Sequence, residues 1–361
     1  MSSIGGDLTG NLSLSPVISV VMAAYNAEKY IKQAIDSVLR QTYKNIELIV
    51  ANDGSTDSTL DIIMQCQKKD SRIKVLNRRV NKGSSYTRNE AIQCAKGQYV
   101  AIFDADDLCV ANRLQIQLET MILKEVDVCG SCVEIIEETD KKVGSVQYYE
   151  LHDQILMHAL FNSPFAHSTV MIKTSILSNR KYTEGLSYAE DYDLWTGLLM
   201  DGYKFYNIQD PLVMYRVHSS QVSHKISQEQ NKLFSNVQDA YIKWFFKKEK
   251  INPSLRVALA RATDKIEVSL SGENDCMRNL WMTLWKKANE LQRDVVRDRL
   301  AIFCIRATSG GWSIFLFYMS FMLSGAVRVK YLAVIFILCL FKIKWGTQSY
   351  KKIENVYRRL V

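Results

Sequence analysis

The first 110 residues alternate short apolar runs with amphipathic helical patterns, and few folds accept that alternation. Val17–Ala23, Ile46–Ala51, Ile73–Leu76 and Tyr99–Phe103 are rich in the residues of buried strands. A helix is expected after each. Ile31, Ala34, Ile35, Val38 and Leu39 repeat at helical spacing after the first run, and Leu60, Ile63 and Met64 after the second. Ser55 or Thr56 is placed to cap that second helix. A third should run from about Ser85 to Lys96, with Gly97 to end it, and a fourth from Arg113 to Leu123. Strands that alternate with helices imply a doubly wound, largely parallel sheet. Ligands of such sheets bind beyond the carboxyl ends of the strands, where Tyr25, Asp53 and Asp104 all fall.

The fourth run feeds directly into Asp104-Ala105-Asp106-Asp107. Three carboxylates at the end of a buried strand repel one another, so something positive should hold them. A hard divalent cation is the natural partner. Such a cluster points to an enzyme that handles a phosphorylated substrate, against the plainer reading of a solvated acidic turn.

Two further clusters stand out, Glu190-Asp191-Tyr192-Asp193-Leu194-Trp195 and Tyr215-Arg216-Val217-His218-Ser219-Ser220. The net charge of +8 lies almost entirely at the end of the chain. From Gly310 onward, lysine or arginine occupies 328, 330, 342, 344, 351, 352, 358 and 359, against the single acid Glu354. A nucleic-acid enzyme carries its positive charge around the cleft, so no nucleic-acid partner is expected. The same region holds two apolar stretches, Trp312–Val327 and Tyr331–Phe341, both shorter than the roughly 20 residues of a spanning helix. Interfacial helices on anionic lipid are the favoured reading. A hairpin packed on the rest of the chain, or a homo-oligomer contact, is the alternative. Cys129-Gly130-Ser131-Cys132 sits inside an expected strand, Val126–Ile136, without a second ligand pair, so it reads as reduced thiols rather than a redox or zinc site. Met1–Ser15 has neither a basic start nor an apolar core, so a cytosolic chain is expected.

Taken in order, Pro16–Asn26, Ser37-Val-Leu-Arg-Gln41-Thr-Tyr, Asn52–Asp57, Arg88-Asn89, Asp104–Asp107, Glu190-Asp191 and His218 resemble the motifs of a family 2 glycosyltransferase. The resemblance covers about residues 16–223. It implies a GT-A fold, Rossmann-like and largely parallel, followed by a helical C-terminal region with membrane-associating helices. The chain then divides into a tail (1–15), a nucleotide-sugar-binding half (16–110), an acceptor-binding and catalytic half (111–225), a helical extension (226–300) and an apolar, basic C-terminal region (301–361).

The resemblance also assigns roles. Ala23 and Tyr25 line the base of a UDP-sugar, Asp53 accepts from its uracil and Arg88 lies nearby. Asp104 bonds the ribose or supports the site, and Asp106 ligates Mn²⁺ or Mg²⁺, with Asp107 behind it. His218 is a second metal ligand, or else a diphosphate donor or a plain loop residue. Asp191 is the general base with Glu190 beside it. Apart from the resemblance, His167, following Pro164-Phe165-Ala166, is a weaker candidate near the acceptor. One base without a second nucleophile suits inversion. The implied activity is that of a hexosyltransferase moving one sugar to a lipid-linked or polysaccharide-precursor acceptor at the cytoplasmic face of the inner membrane. A processive synthase should carry spanning helices and a Gln-x-x-Arg-Trp segment. A sugar-nucleotidyltransferase should carry a Gly-rich basic loop where Ala24-Tyr25-Asn26-Ala27 stands. A non-catalytic membrane module would have no need of the acidic set.

Overall fold

The structure is a computed structural model that describes residues 18–186, 189–218, 228–246, 274–307, 312–341 and 343. The N-terminal tail, His224 and the basic residues from Lys344 onward lie outside these. The chain divides into two compact units, one within Met1–Glu150 and Phe165–Gln230, the other within Leu151–Pro164 and Asn231–Val361.

The first unit is built on one nine-stranded sheet. Its elements are β1 (Ile18–Ala24), α1 (Ile31–Leu39), β2 (Ile46–Asp53), α2 (Thr59–Lys69), β3 (Ile73–Arg78), α3 (Ser84–Gln93), β4 (Tyr99–Ile102), β5 (Leu108–Cys109), α4 (Arg113–Leu123), β6 (Val128–Glu137), β7 (Lys142–Val146), β8 (Met171–Lys173), α6 (Thr174–Leu177), α7 (Glu190–Met200) and β9 (Phe205–Val217), with α5 (His152–His158) belonging to the second unit. The strand order is β3-β2-β1-β4-β8-β6-β9-β5, with β7 on β6. The expectation of a largely parallel sheet holds only from β3 to β4. β8 then runs antiparallel to both β4 and β6, β9 is parallel to β6, and β5 is antiparallel to β9.

β1 and β2 are covered on both faces, so their sequences are continuous apolar runs rather than alternating ones. The exception is Glu47, buried in β2. Its carboxylate accepts from Ser19 Oγ and Lys96 N, both at 2.6 Å, and pairs with Lys74. Burial raises its pKa, but these partners more than offset that and hold it below the usual range. Gly97 does not end α3, which stops at Gln93; its N–H instead donates to Ser19 Oγ at 2.9 Å. Gln41 is wholly buried, with Nε2 donating to Val110 O at 2.7 Å and Oε1 accepting from Leu114 N at 3.0 Å. It stitches the end of α1 to the segment that follows the acidic loop. Met64 is exposed at 39%, so the inward face of α2 is narrower than its apolar spacing implied.

The second unit contains α5, most of α8 (Gln228–Phe245), α9 (Asn274–Lys287), α10 (Glu290–Arg306), α11 (Trp312–Met319) and α12 (Val329–Leu340). Phe161, Trp281, Phe303 and Phe317 pack in sequence through its core at centroid spacings of 5.9, 5.8 and 6.2 Å. The first C-terminal apolar stretch is not one helix. It breaks after Met319 at a short turn closed by Gly325, whose φ of +74° favours glycine. No described helix is long and apolar enough to cross a membrane.

α4 turns two polar residues inward. Gln117 Nε2 donates to Cys129 O at 2.9 Å and Thr169 O at 2.7 Å, and its Oε1 accepts from Arg113 Nε at 2.9 Å. Arg113 in turn reaches Ile102 O at 3.1 Å, so this pair ties β4, β6 and the turn before β8 together. Gln117→Leu keeps the volume but orphans one buried donor and two carbonyls. It is expected to destabilise the protein by about 3 kcal/mol, read as a lower denaturation midpoint.

Candidate active site

The carboxyl ends of β1, β2 and β3 carry three loops that are fastened to one another. Asn26, after β1, adopts φ +48°, a left-handed conformation that asparagine tolerates. Its Oδ1 accepts from Thr56 N at 2.9 Å, and its own N–H donates to Ser55 Oγ at 3.0 Å. Ser55 and Thr56 therefore bridge two loops and do not cap α2. Asp57 takes that place, accepting from Thr59 N at 3.0 Å. Asp53 is buried, and its two oxygens accept from Lys82 N and Gly83 N, both at 2.9 Å. Between them stands Gly54, at φ +72°, where a Cβ would lie 2.8 Å from the backbone of Val80 and Asn81. Tyr25 projects from this assembly half-exposed, and Ala23 is partly buried beneath it in sequence.

The acidic loop is held by side chains of the protein itself. Arg88, on α3, donates from one amino group to Asp104 Oδ1 at 3.0 Å and from the other to Glu190 Oε1 at 3.2 Å. Ser84 Oγ donates to the same Glu190 oxygen at 3.1 Å. Burial opposes the charge of Arg88, but Asp104, Tyr182 and Glu190 outweigh it and keep the guanidinium protonated. His167 Nδ1 lies 3.1 Å from Asp104 Oδ2, and its Nε2 lies 2.9 Å from Tyr182 Oη. Burial alone would raise Asp104, yet His167 and Arg88 hold its carboxyl well below the usual range. Asn89, the next residue on α3, secures Tyr182 with its side-chain amide, Nδ2 donating to Tyr182 O at 2.9 Å and Oδ1 accepting from Tyr182 N at 3.0 Å.

Asp106 Oδ2 stands 3.0 Å from His218 Nε2. Burial and the charge of Asp104 raise Asp106, against the pull of His218. Asp107 is buried deeper, accepting from Arg216 N at 2.9 Å, and burial followed by its two acidic neighbours raises it well above the usual range. Asp191 lies in the first turn of α7. Burial and then Glu190 raise its pKa, while His167, a hydrogen bond from Tyr192 N and Arg88 pull the other way. Asp193 accepts from Thr183 Oγ1 at 2.6 Å and so fastens the start of the helix.

Contacts and electrostatic coupling thus join Arg88, Asp104, His167, Glu190 and Asp191, and a hydrogen bond joins Asp106 to His218. Asp53 and Tyr25 belong to the adjoining loop assembly. Arg88 is committed to two carboxylates rather than standing as a free cation beside a base. His167 is more central than its sequence context suggested, and Tyr182 and Arg216 had no assigned role. Tyr182 carries no local signal, since its importance comes from a contact with a residue 15 positions away. Cys129 and Cys132 are free and buried, and burial pushes the Cys129 thiol up to about 12, consistent with unreactive thiols.

A mixed α/β sheet with acidic loops at its carboxyl ends is the framework of a GT-A type glycosyltransferase. The glycosyl transferase family 2 model matches residues 19–184. An uncharacterized glycosyltransferase of Haemophilus influenzae is 33% identical over 245 residues, 64% of this chain and 75% of that protein. The UDP-Glc:alpha-D-GlcNAc-diphosphoundecaprenol beta-1,3-glucosyltransferase WfaP of Escherichia coli is 33% identical over 219 residues, 57% of this chain and 80% of that protein. Residues 1–349 of S. aureus TarS, solved in complex with UDP-GlcNAc, share the fold with a TM-score of 0.54 at 17% identity, over 95% of this chain and 91% of that one. The chain belongs to glycosyltransferase family 2.

Arg88→Ala leaves Asp104 and Glu190 without their shared cation. It is expected to lower stability by about 3 kcal/mol, measured by chemical denaturation. Arg88→Lys should recover only part of the loss, because an ammonium cannot present the planar fork to both carboxylates.

Proposed function

We propose that this enzyme transfers a single sugar from a UDP-sugar to a lipid-linked or polysaccharide-precursor acceptor, with inversion at the anomeric carbon. The observation that carries the reading is the Arg88 bridge, which sets donor-side Asp104 against acceptor-side Glu190 and Asp191. The names of two E. coli relatives, WfaP and WfgD, specify UDP-glucose and a diphosphoundecaprenol-linked acceptor and so support it. Polysaccharide assembly is supported in the same way by the O-antigen biosynthesis glycosyltransferase WbnJ, 31% identical to this chain.

Half-exposed Tyr25 stacks on the pyrimidine, over Ala23. Asp53 spends one lone pair per oxygen on the backbone of Lys82 and Gly83 and keeps others for the uracil N3–H. Asp104, held ionised, accepts from the ribose. Asp191 takes the proton of the acceptor hydroxyl as that oxygen bonds to the anomeric carbon. The bond from that carbon to the diphosphate breaks, and UDP leaves with the electron pair. Asp106 and His218 supply a carboxylate oxygen and an imidazole nitrogen, a donor pair that fits Mn²⁺ better than the oxygen-seeking Mg²⁺. Among the described residues no group of three such ligands forms. When bound, the ion would stabilise negative charge on the departing diphosphate.

The test is release of UDP from UDP-glucose, UDP-galactose and their N-acetyl forms in the presence of Mn²⁺. Asp191→Asn is expected to lower kcat by about 10²- to 10⁴-fold. A base with a raised pKa is ionised only above the ordinary carboxylate range, so kcat/KM should climb through a limb lying above that range. Glu190→Gln removes the neighbouring charge and should move the limb to lower pH. A limb that stays in place removes Glu190 from the tuning of the base.

We also infer that the α11–α12 hairpin rests on an anionic membrane surface. Phe336, Ile337, Leu340 and Phe341 share one exposed face of α12 and its end, and Leu316 on α11 is exposed at 65%. The sequence that continues from this face is strongly basic. Co-sedimentation with phosphatidylglycerol vesicles should fall in a Leu316→Ser, Phe341→Ser variant and persist in wild type. Equal partitioning of the two would defeat the assignment.

A further inference from the structure

Arg216 is a charged side chain that is only 1% exposed, two residues before His218. Its Nε donates to Asp106 O at 2.8 Å, and one amino group donates to Gln33 Oε1 at 3.1 Å. The other amino group reaches Glu137 O at 3.4 Å and pairs with Asp140 in the turn after β6. The guanidinium also lies 4.7 Å from the ring centroid of Tyr30, and that ring lies 5.1 Å from the His218 imidazole. The backbone N–H of Arg216 donates to Asp107 Oδ1 at 2.9 Å.

A buried guanidinium with all these partners does more than neutralise charge. It spans α1, the acidic loop, the turn after β6 and the end of β9, which leaves the exit direction of β9 little freedom. Asp106 is gripped through its carbonyl, and His218 is delivered from two residues along. The same side chain therefore sets both ends of the Asp106–His218 contact. Lysine keeps the charge but offers one point of contact in place of a fork.

We propose that Arg216 is a positioning residue that holds His218 against Asp106 and so sets the affinity of the site for a divalent cation with the donor diphosphate. The proposal rests on the donor-site reading given above and names the residue that builds it. Partners standing behind metal ligands govern affinity by fixing ligand orientation.

The test measures Mn²⁺ binding by electron paramagnetic resonance in the presence of UDP, alongside melting temperature and steady-state kinetics. Arg216→Lys is expected to weaken Mn²⁺ binding by about tenfold. KM for the UDP-sugar should rise more than kcat falls. In a His218→Asn background, Arg216→Lys should add little further weakening, since it acts through that imidazole. An Arg216→Lys protein with a lower melting temperature but wild-type Mn²⁺ affinity overturns the proposal, as do losses that multiply in the double variant. Unchanged Mn²⁺ affinity in both Asp106→Ala and His218→Asn overturns the cation reading itself, a distinct result. Asp140→Asn provides a second probe should Arg216→Lys not fold, because asparagine tolerates the φ of +66° at that turn. It loosens the fork without emptying the buried position and should weaken Mn²⁺ binding by about threefold, less than the effect typical of a removed outer partner. Unaltered affinity there counts against the proposal.

Discussion

The fork of Arg88 between Asp104 and Glu190 is the interaction on which the site depends. Carboxylates gathered at one end of a sheet repel one another, and burial increases the cost of each charge. The sequence alone pointed to a metal as the force that gathers them. Arg88 and His167 hold Asp104, while Arg216 and His218 hold the Asp106–Asp107 side. The acidic cluster is thus held by the protein's own hydrogen bonds, with the Arg88 guanidinium serving Asp104 and the backbone N–H of Arg216 serving Asp107. That division explains why Asp104 and Asp106 shift in opposite directions although only Ala105 separates them. Asp104 faces the Arg88 guanidinium and the His167 imidazole, whereas Asp106 feels the charge of Asp104 and has one imidazole to offset it.

Topology explains how residues so distant in sequence reach this point. The parallel strands β1, β2 and β4 all end on one side, so Tyr25, Asp53 and Asp104 arrive there by direction of travel alone. The turn before β8 then comes back beside β4, where Val170 O accepts from Ile102 N at 2.8 Å. That return carries His167 to Asp104. Because β8 runs antiparallel to β4, the turn before it lies at the carboxyl end of β4, beside Asp104.

Much of the first unit was legible because its signals are local. The apolar face of α1, the span of α4 and the buried strands follow from periodicity, and the fold class follows from their order. What was not legible depends on partners far along the chain. Gly97 resembles a helix stop, but its N–H is claimed by Ser19 in a neighbouring strand. Ser55 and Thr56 resemble caps, but Asn26 is there to receive them. Arg88 could be placed near the site from its motif, yet its targets lie 16 and 102 residues away, beyond any local pattern. The C-terminal apolar runs were visible as composition. Their division into buried Ile314, Phe317 and Leu338 and exposed Leu316, Phe336 and Phe341 needed the helices to be packed.

Glu190 has a double place in this arrangement. Arg88 and Ser84 keep its carboxylate anchored at the start of α7, and from there its charge raises the pKa of Asp191. A carboxylate of ordinary pKa is a weak base, and a neighbour of like charge strengthens it, which on the reading proposed above is the part Glu190 plays for Asp191. Such a neighbour repels the carboxylate it raises and stays close only if a cation restrains it. Arg88 provides that restraint while its other amino group secures Asp104. Asp104 and Glu190 are therefore coupled through one side chain: a change that loosens Asp104 from Arg88 also alters the support of Glu190, and with it the charge that raises the pKa of Asp191.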